Sequence, residues 1–212
     1  YRLQPKTPWV LNTLYELNVL EANWMAAEKL LDSLVKARII NHNTARRRSA
    51  ALKLCQASNV ESGVSAPSKL SAASAAYNAC PGWLPAVIAK AEALEEAGKN
   101  IKAQEFIEKE WPTHPHFVLA DIYERVLQDD PDTERVLKIE KLISCKPDHR
   151  QSHFAIARAM LNAKLWGSAR VRLETLSKGP ISVELCLLMA RLEEGATNDS
   201  NRVNKWLQRA AI

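Results

Sequence analysis

The chain has 212 residues, of which 47% are hydrophobic and 25% charged, and its formal net charge is +5. This length allows a sizeable buried core, and the composition is typical of a soluble globular protein. No apolar stretch reaches the 18 residues of a membrane-spanning helix and no secretory signal is recognisable, so we expect this chain to be soluble. Helix-forming residues dominate and strand or hairpin-turn patterns are absent, which predicts an all-α fold.

The positive charge raises the question of nucleic acid or an anionic membrane as a partner, since the pI is near 9.0. The basic residues are spread along the chain, however, and only Arg46, Arg47 and Arg48 form a run. The run lies in a predicted amphipathic helix. A solvated helix face is therefore the simpler interpretation, and contact with a phosphate or lipid headgroup is the alternative. We expect no nucleic-acid partner.

The first three predicted hairpins occupy residues 8–41, 44–81 and 84–115. Pro8 suits the first turn of the opening helix, and Thr44 is a suitable N-cap for the third. Residues 59–67 are polar and loop-like. Small and apolar residues at spacings of three and four mark the inner helix faces. These residues are Leu11, Leu14, Tyr15, Ala27, Leu31 and Leu34, then Ala50, Leu54, Ala73 and Ala76, then Val87, Ala91, Leu94, Ala103 and Ile107.

The last three hairpins occupy residues 116–147, 150–180 and 181–212. The first of them has a short turn around Pro131, the second breaks at residues 164–167, and the third turns at residues 195–201. Their inner faces follow the same spacing. The residues concerned are Ala120, Tyr123, Ile139 and Leu142, then His153, Ile156, Ala157, Met160, Ala169, Leu173 and Leu176, then Leu187, Ala190, Val203, Leu207 and Ala210.

Prolines close four of these hairpins at a nearly constant interval. Pro81, Pro115, Pro147 and Pro180 are separated by 34, 32 and 33 residues. A period near 34 built from paired helices is typical of tetratricopeptide repeats, in which each hairpin buries its apolar faces only against its neighbours. We therefore predict a right-handed α-solenoid of about six tetratricopeptide-like hairpins, with residues 1–212 forming one domain.

The first helices of such hairpins line the concave side of a solenoid, and their outward side chains are candidates for binding a protein. The central part of this predicted groove is acidic, and the last two hairpins add arginines. A solvated helix face is the alternative for each position. The candidates are Asn12, Glu16, Ile88, Glu92, Glu95, Phe117, Asp121, Glu124, Gln151, Phe154, Arg158, Leu187 and Arg191.

No catalytic arrangement is recognisable in the sequence. The chain lacks an HExxH motif, a phosphate-binding glycine loop and a readable Ser/His/Asp or Cys/His set. Asp129, Asp130 and Asp132 resemble the start of a calcium loop, but the required glycine and closing glutamate are missing. His114 and His116 lie at a hairpin boundary, where loop residues are the simpler interpretation and metal ligands the alternative. We predict a protein that is not an enzyme and holds no metal.

The four cysteines show no CxxC pair, which favours reduced thiols. Cys80 precedes Pro81, and an exposed Cys-Pro thiolate can act as a haem ligand. Pro81 already has a structural role at the hairpin boundary, so a buried structural thiol is the simpler interpretation. Haem contact through Cys80 is the alternative.

Three stretches carry a resemblance to a known family. They are NWMAAEKLLDSLVKARII, KLISCKPDHRQSHFAIARAMLNAKLWGSARVRLETL and RLEEGATNDSNRVNKWLQRAA. They resemble the C-terminal tetratricopeptide region of bacterial HemY proteins, which belong to haem-biosynthesis operons, and the resemblance covers most of residues 8–212. Residues 58–69 depart from the usual helix pair.

This resemblance implies a non-catalytic scaffold for protein partners, among them enzymes of haem or porphyrin biosynthesis. It also implies that the intact protein sits in a bacterial inner membrane through two N-terminal helices that this chain lacks. Two alternatives stay open: a tetratricopeptide adaptor or chaperone for another complex, and a carrier that binds haem or porphyrin.

Overall fold

A computed structural model of the chain describes residues 7–58 and 66–211. These residues form twelve α-helices and no β-strand, so the all-helical class is confirmed for them. The helices are α1 Pro8–Leu20, α2 Trp24–Lys36, α3 His42–Ser58, α4 Ala66–Ala79, α5 Leu84–Glu96, α6 Asn100–Glu110, α7 Phe117–Val126, α8 Asp132–Ile143, α9 Arg150–Asn162, α10 Trp166–Ser177, α11 Val183–Thr197 and α12 Ser200–Ala210. The predicted lead-in before Pro8 and loop after Ser58 lie largely outside the described residues.

The chain divides into two compact units, unit 1 (Tyr1–Lys99) and unit 2 (Asn100–Ile212). In unit 1, α1 packs on α2 and α3 packs on α4, and α3 also contacts α5. In unit 2, α9 packs on α10 and α11 packs on α12, while α9 also contacts α7 and α11. Hairpins whose first helices touch are the arrangement expected of an α-solenoid, and within each unit that part of the prediction is confirmed.

The repeat is visible in the backbone of the turns as well as in the sequence. Four residues between paired helices adopt positive φ: Ala22 at 55°, Gly98 at 67°, Lys164 at 58° and Asn198 at 52°. Each lies five residues before an inner-face residue of the following helix, and these are Ala27, Ala103, Ala169 and Val203. An L side chain in this region costs about 1–2 kcal/mol, so only Gly98 and Asn198, whose residue types favour positive φ, were recognisable as turn residues from type alone.

Helix starts follow local capping. Pro8 occupies the first turn of α1 as predicted, because the missing N–H of proline is not needed there. The prediction that Thr44 caps α3 is wrong, since the helix begins at His42. Asn41 Oδ1 accepts a hydrogen bond from the Thr44 backbone N–H at 2.8 Å, so the asparagine supplies the cap.

The core of unit 1 includes two clusters of buried side chains. One joins Leu11, Tyr15, Ala27, Leu31, Leu34 and Leu52 from the first three helices. The other joins Ala50, Ala76, Cys80 and Ala86, whose small size lets α3, α4 and α5 approach closely. The predicted inner faces of the first hairpin and of α4 are thereby confirmed.

In unit 2 the predicted inner faces are also largely buried. Ala157 and Ala169 have no exposed surface, as expected for the two small residues of the α9–α10 hairpin. Two predictions in the last hairpin are wrong, because Leu187 is 50% exposed and Leu207 is 43% exposed. Leu187 lies on the outward side of α11, and the helix uses its neighbours Cys186 and Leu188 as buried contacts instead.

Candidate functional site

The candidate site lies on the first helices of unit 2, where α9 is packed between α7 and α11. Side chains at helical spacing form one outward stripe on each of these helices. We call the surface they share the α7–α9–α11 surface. It consists of Phe117, Asp121 and Glu124 on α7, Gln151, Arg158 and Asn162 on α9, and Glu184, Leu187 and Arg191 on α11.

Arg158 is the centre of this surface. Its Nε donates a hydrogen bond to Glu124 Oε1 at 3.1 Å, and its Nη1 forms an ion pair with Asp121. Asn162 Nδ2 donates to the second oxygen of Glu124 at 3.3 Å. Glu124 and Arg158 are 34 residues apart, so the contact joins equivalent positions of successive repeats. Three residues predicted as separate partner contacts are therefore joined to one another.

Two carboxyl groups near Arg158, those of Glu124 and Glu184, have raised pKa values. Burial raises the pKa of Glu124, the Arg158 charge opposes this shift, and the Asp121 charge adds to it. Burial likewise raises the pKa of Glu184 on α11, where the Arg158 charge opposes the shift and the Asp121 charge again adds to it. Glu184 therefore shares the electrostatic environment of Arg158 and Asp121.

Apolar side chains lie beside these charges. Phe117 is 45% exposed and precedes Asp121 by one helical turn. Leu187 is 50% exposed and follows Glu184 by one turn on α11. Large exposed apolar side chains beside buried charge are typical of surfaces that bind other proteins.

The remaining predicted residues of unit 2 are placed differently. Gln151 is half-buried at the start of α9, and Arg191 is exposed near the middle of α11. Phe154 is only 3% exposed, so the prediction that it lines the surface is corrected. Helix α9 has neighbours on both sides, which leaves it a narrow outward stripe, and the Arg150 guanidinium lies 5.2 Å from the centre of the Phe154 ring.

In unit 1 the predicted residues lie on α1 and α5. Asn12 Nδ2 donates to Glu16 Oε1 at 2.7 Å, so these two side chains bind each other. Ile88 and Glu95 are half-buried on α5, and Glu92 is exposed. Glu92 lines a cleft of about 320 Å³ between α3, α4 and α5. A single groove through all six hairpins stays a prediction.

Glu184 and Asn162 were not predicted from the sequence. Glu184 lies one turn before the predicted Leu187, and Asn162 lies one turn after the predicted Arg158. Extending each predicted stripe by one turn would have included both residues. Their partners could not be read from spacing, because those partners come from other helices.

The arginines of the run on α3 largely make contacts with other residues of unit 1. Arg46 Nε donates to the carbonyl oxygen of Ala79 at 3.0 Å. The Arg48 guanidinium lies 4.7 Å from the centre of the Tyr15 ring, a cation–π contact. Two of the three arginines thus stabilise helix packing, which favours the helix-face interpretation of this run.

Cys80 is buried, so its thiol is not accessible to a ligand at the surface. Its side chain is 6% exposed and belongs to the core cluster with Ala50, Ala76 and Ala86. A haem iron would have to displace this packing to reach the thiol. The structure therefore favours the structural role of Cys80 over the predicted alternative of haem contact.

Histidines and aspartates near the hairpin turns have local roles in the fold. His116 and His149 each cap a helix, accepting a backbone N–H bond at Nδ1 from Val118 at 3.3 Å and Gln151 at 3.2 Å. Asp130 binds Lys138 at 2.7 Å. No group of three or more potential metal ligands is found within residues 7–58 and 66–211. In the same part of the chain, none of the helices has the length and hydropathy to cross a membrane.

Comparison with known proteins finds similarity in sequence and in structure. No family model matches the chain. The chain is 26% identical over 190 residues to the probable magnetosome protein Mms48 of Magnetospirillum gryphiswaldense, covering 89% of this chain and 42% of that protein. It is also similar to the crystal structure of the P58(IPK) TPR domain, with 14% identity and a TM-score of 0.38, covering 96% of this chain and 64% of that one.

The chain thus spans less than half the length of Mms48 and about two thirds of the solved TPR domain. Neither similarity shows a relationship to HemY proteins, so the resemblance seen in the sequence stays a prediction.

Proposed function

We propose that the chain is a non-catalytic scaffold that binds another protein on the α7–α9–α11 surface. The observation that carries this proposal is the pairing of exposed Phe117 and Leu187 with the half-buried charges around Arg158. Rigid packed helices hold these groups without loops, and repeated helical hairpins commonly use their first helices for binding. Buried charges fix the register of a partner, while apolar side chains contribute affinity.

We further propose that the intact protein assists haem or porphyrin biosynthesis from a bacterial inner membrane. The support is the resemblance of residues 23–40, 141–176 and 191–211 to HemY proteins. A second candidate is a scaffold role in a magnetosome-associated assembly, because 89% of the chain is similar to Mms48. Both candidates share the same binding surface and differ in the partner.

A co-purification experiment tests the scaffold. The double variant Phe117→Ser/Leu187→Ser is compared with the wild type and with Val171→Ser, whose side chain is 63% exposed on the second helix α10. The amount of co-purified partner should fall about tenfold in the double variant, because truncating two apolar anchors costs more than about 1 kcal/mol of binding free energy. The Val171→Ser variant should retain them.

The identity of the proteins lost separates the candidates. Loss of haem-pathway enzymes supports the first candidate, and loss of magnetosome proteins supports the second. Equal recovery with both variants contradicts the assigned surface. A shift of the haem Soret band that disappears in Cys80→Ser would instead support the haem-carrier alternative.

A further inference from the structure

The α7–α9–α11 surface holds more negative than positive charge at its centre. Asp121, Glu124 and Glu184 surround the single guanidinium of Arg158, which already binds Asp121 and Glu124. Arg150 also acts on Glu184, but its Nη2 donates to the carbonyl oxygen of Pro180 at 2.6 Å. A bond to a neutral oxygen leaves the Arg150 charge in place, so two guanidinium groups face three carboxylates and one negative charge is in excess.

A further arginine near this centre, Arg135, already has a carboxylate partner. Arg135 affects Glu124 electrostatically, yet its guanidinium forms an ion pair with Asp132 at the start of α8. The chain as a whole carries a net charge of +5, so the excess of carboxylates here is local. Attraction of a cation to this place would be site-specific, because the net charge of the chain repels it.

Glu184 is the carboxylate with room for a partner. Within the described residues its side chain makes no hydrogen bond and no ion pair, although it is half-buried on α11. Partial burial disfavours the charged carboxylate, and a nearby cation would compensate for this cost. Asp121, whose side chain is 38% exposed, faces the same environment from α7.

The apolar neighbours indicate what kind of cation fits. Phe117 lies one turn from Asp121 on α7 and Leu187 one turn from Glu184 on α11, so each carboxylate has an exposed apolar side chain one turn away on its own helix. Lysine and arginine combine a charged end with an apolar stem that packs on such side chains. A free metal ion would gain nothing from Phe117 or Leu187.

We infer that the partner contributes a basic amphipathic segment, whose lysine or arginine is attracted to Asp121 and Glu184 while its apolar side chains contact Phe117 and Leu187. The inference rests on the proposed scaffold function and specifies the chemistry of its partner.

Two labelled peptides test this inference on the whole chain. Both are 16-residue amphipathic helices with the same leucine positions, and their polar positions are lysine in one and glutamate in the other. Binding is measured by fluorescence anisotropy. The lysine peptide should bind about tenfold more tightly than the glutamate peptide, and its affinity should fall as salt is raised.

Variants locate the binding. The double variant Asp121→Asn/Glu184→Gln should lower the affinity for the lysine peptide about tenfold. The single variant Glu184→Gln, which breaks no contact of the fold, should weaken it about threefold. The control Glu134→Gln/Glu174→Gln removes two exposed carboxylates of α8 and α10 and should leave the affinity unchanged. Circular dichroism verifies that each variant is folded.

Equal or tighter binding of the glutamate peptide would overturn the inference, as would unchanged affinity in Glu184→Gln and the double variant. In either case the Phe117→Ser/Leu187→Ser co-purification judges the scaffold function independently. Loss of partners there, with no preference for the lysine peptide, would mean that the surface binds a partner of different charge.

Discussion

Gly195 is needed because of one neighbouring ring. It lies inside α11, and a Cβ added to it would come within 2.7 Å of Cζ2 and Cζ3 of Trp166 at the start of α10. Gly195→Ala should lower the free energy of unfolding by about 1–2 kcal/mol, since the overlap outweighs the gain in helix propensity. Gly167→Ala is the matched control. It meets no atom within 4 Å inside α10 and should be neutral or stabilising by up to about 1 kcal/mol.

Urea denaturation followed by circular dichroism measures both changes. Equal effects of the two substitutions would show that Trp166 does not occupy this position against α11. Because the contact joins α10 to α11, it is also a measure of how the fifth and sixth hairpins pack.

Single residues show where sequence reasoning succeeds and where it stops. Period and spacing identified Asp121, Glu124 and Arg158 as outward residues, and the structure brings these three together. Spacing could not show that Phe154 is buried, because its burial depends on the packing of α7 and α11 against α9. Side-chain partners from other helices are long-range information, which a periodic pattern does not contain.

At the scale of helices, the last hairpin is held by a buried carboxylate. Glu193 of α11 is 3% exposed. Its Oε1 accepts a hydrogen bond from Arg170 of α10 at 2.7 Å, and its Oε2 lies 3.5 Å from Arg202 of α12. Thr197 Oγ1 donates to the same carboxylate at 3.3 Å. One side chain thus joins three helices.

The substitution Glu193→Gln should lower the free energy of unfolding by about 2 kcal/mol at neutral pH, because a buried charged acceptor loses its cationic partners. Glu194→Gln, next to it and exposed, should change it by less than about 0.5 kcal/mol. Chemical denaturation of both variants gives the comparison. Equal stability of the two variants would mean that Glu193 does not hold α10, α11 and α12 together.

The stabilisation that Glu193 contributes should depend on pH, and its direction follows from the pKa of this carboxyl group. The hydrogen bond from Arg170, with the charges of Arg170 and Arg202, holds the pKa of Glu193 below its ordinary value. The stabilisation is therefore present above the ordinary glutamate pKa of about 4.3 and is lost as pH falls through the lowered folded value. The difference between wild type and Glu193→Gln should accordingly shrink in that acidic range.

The helices and turns themselves were well predicted, with two instructive exceptions. Proline and small-residue spacing placed the helix pairs α1–α2, α3–α4, α9–α10 and α11–α12, and the two helices of each pair pack on each other. The left-handed turn residues Ala22 and Lys164 were not recognisable, because neither residue type favours positive φ. The start of α3 was misplaced because Asn41 and Thr44 are both good caps, and only the fold of the loop decides between them.

At the scale of the whole molecule, the boundary between Lys99 and Asn100 invites a fragment experiment. Unit 2 contains α6 and the six helices from α7 to α12, which have the length of the three repeats that a stable solenoid needs. Since each hairpin contacts mainly its neighbours, residues 100–212 should fold without unit 1. A separately produced fragment should show a helical spectrum and a cooperative urea transition.

The Glu193→Gln substitution tests in addition whether unit 2 packs in the fragment as it does in the whole chain. Its contacts all come from α10, α11 and α12, far along the chain from Lys99. If unit 2 folds as it does in the whole chain, the substitution should destabilise the fragment and the whole chain by the same amount, within about 0.5 kcal/mol. A fragment that unfolds without cooperativity would mean that unit 2 requires unit 1. A cooperative fragment that is insensitive to the substitution would mean that its last hairpins pack differently on their own.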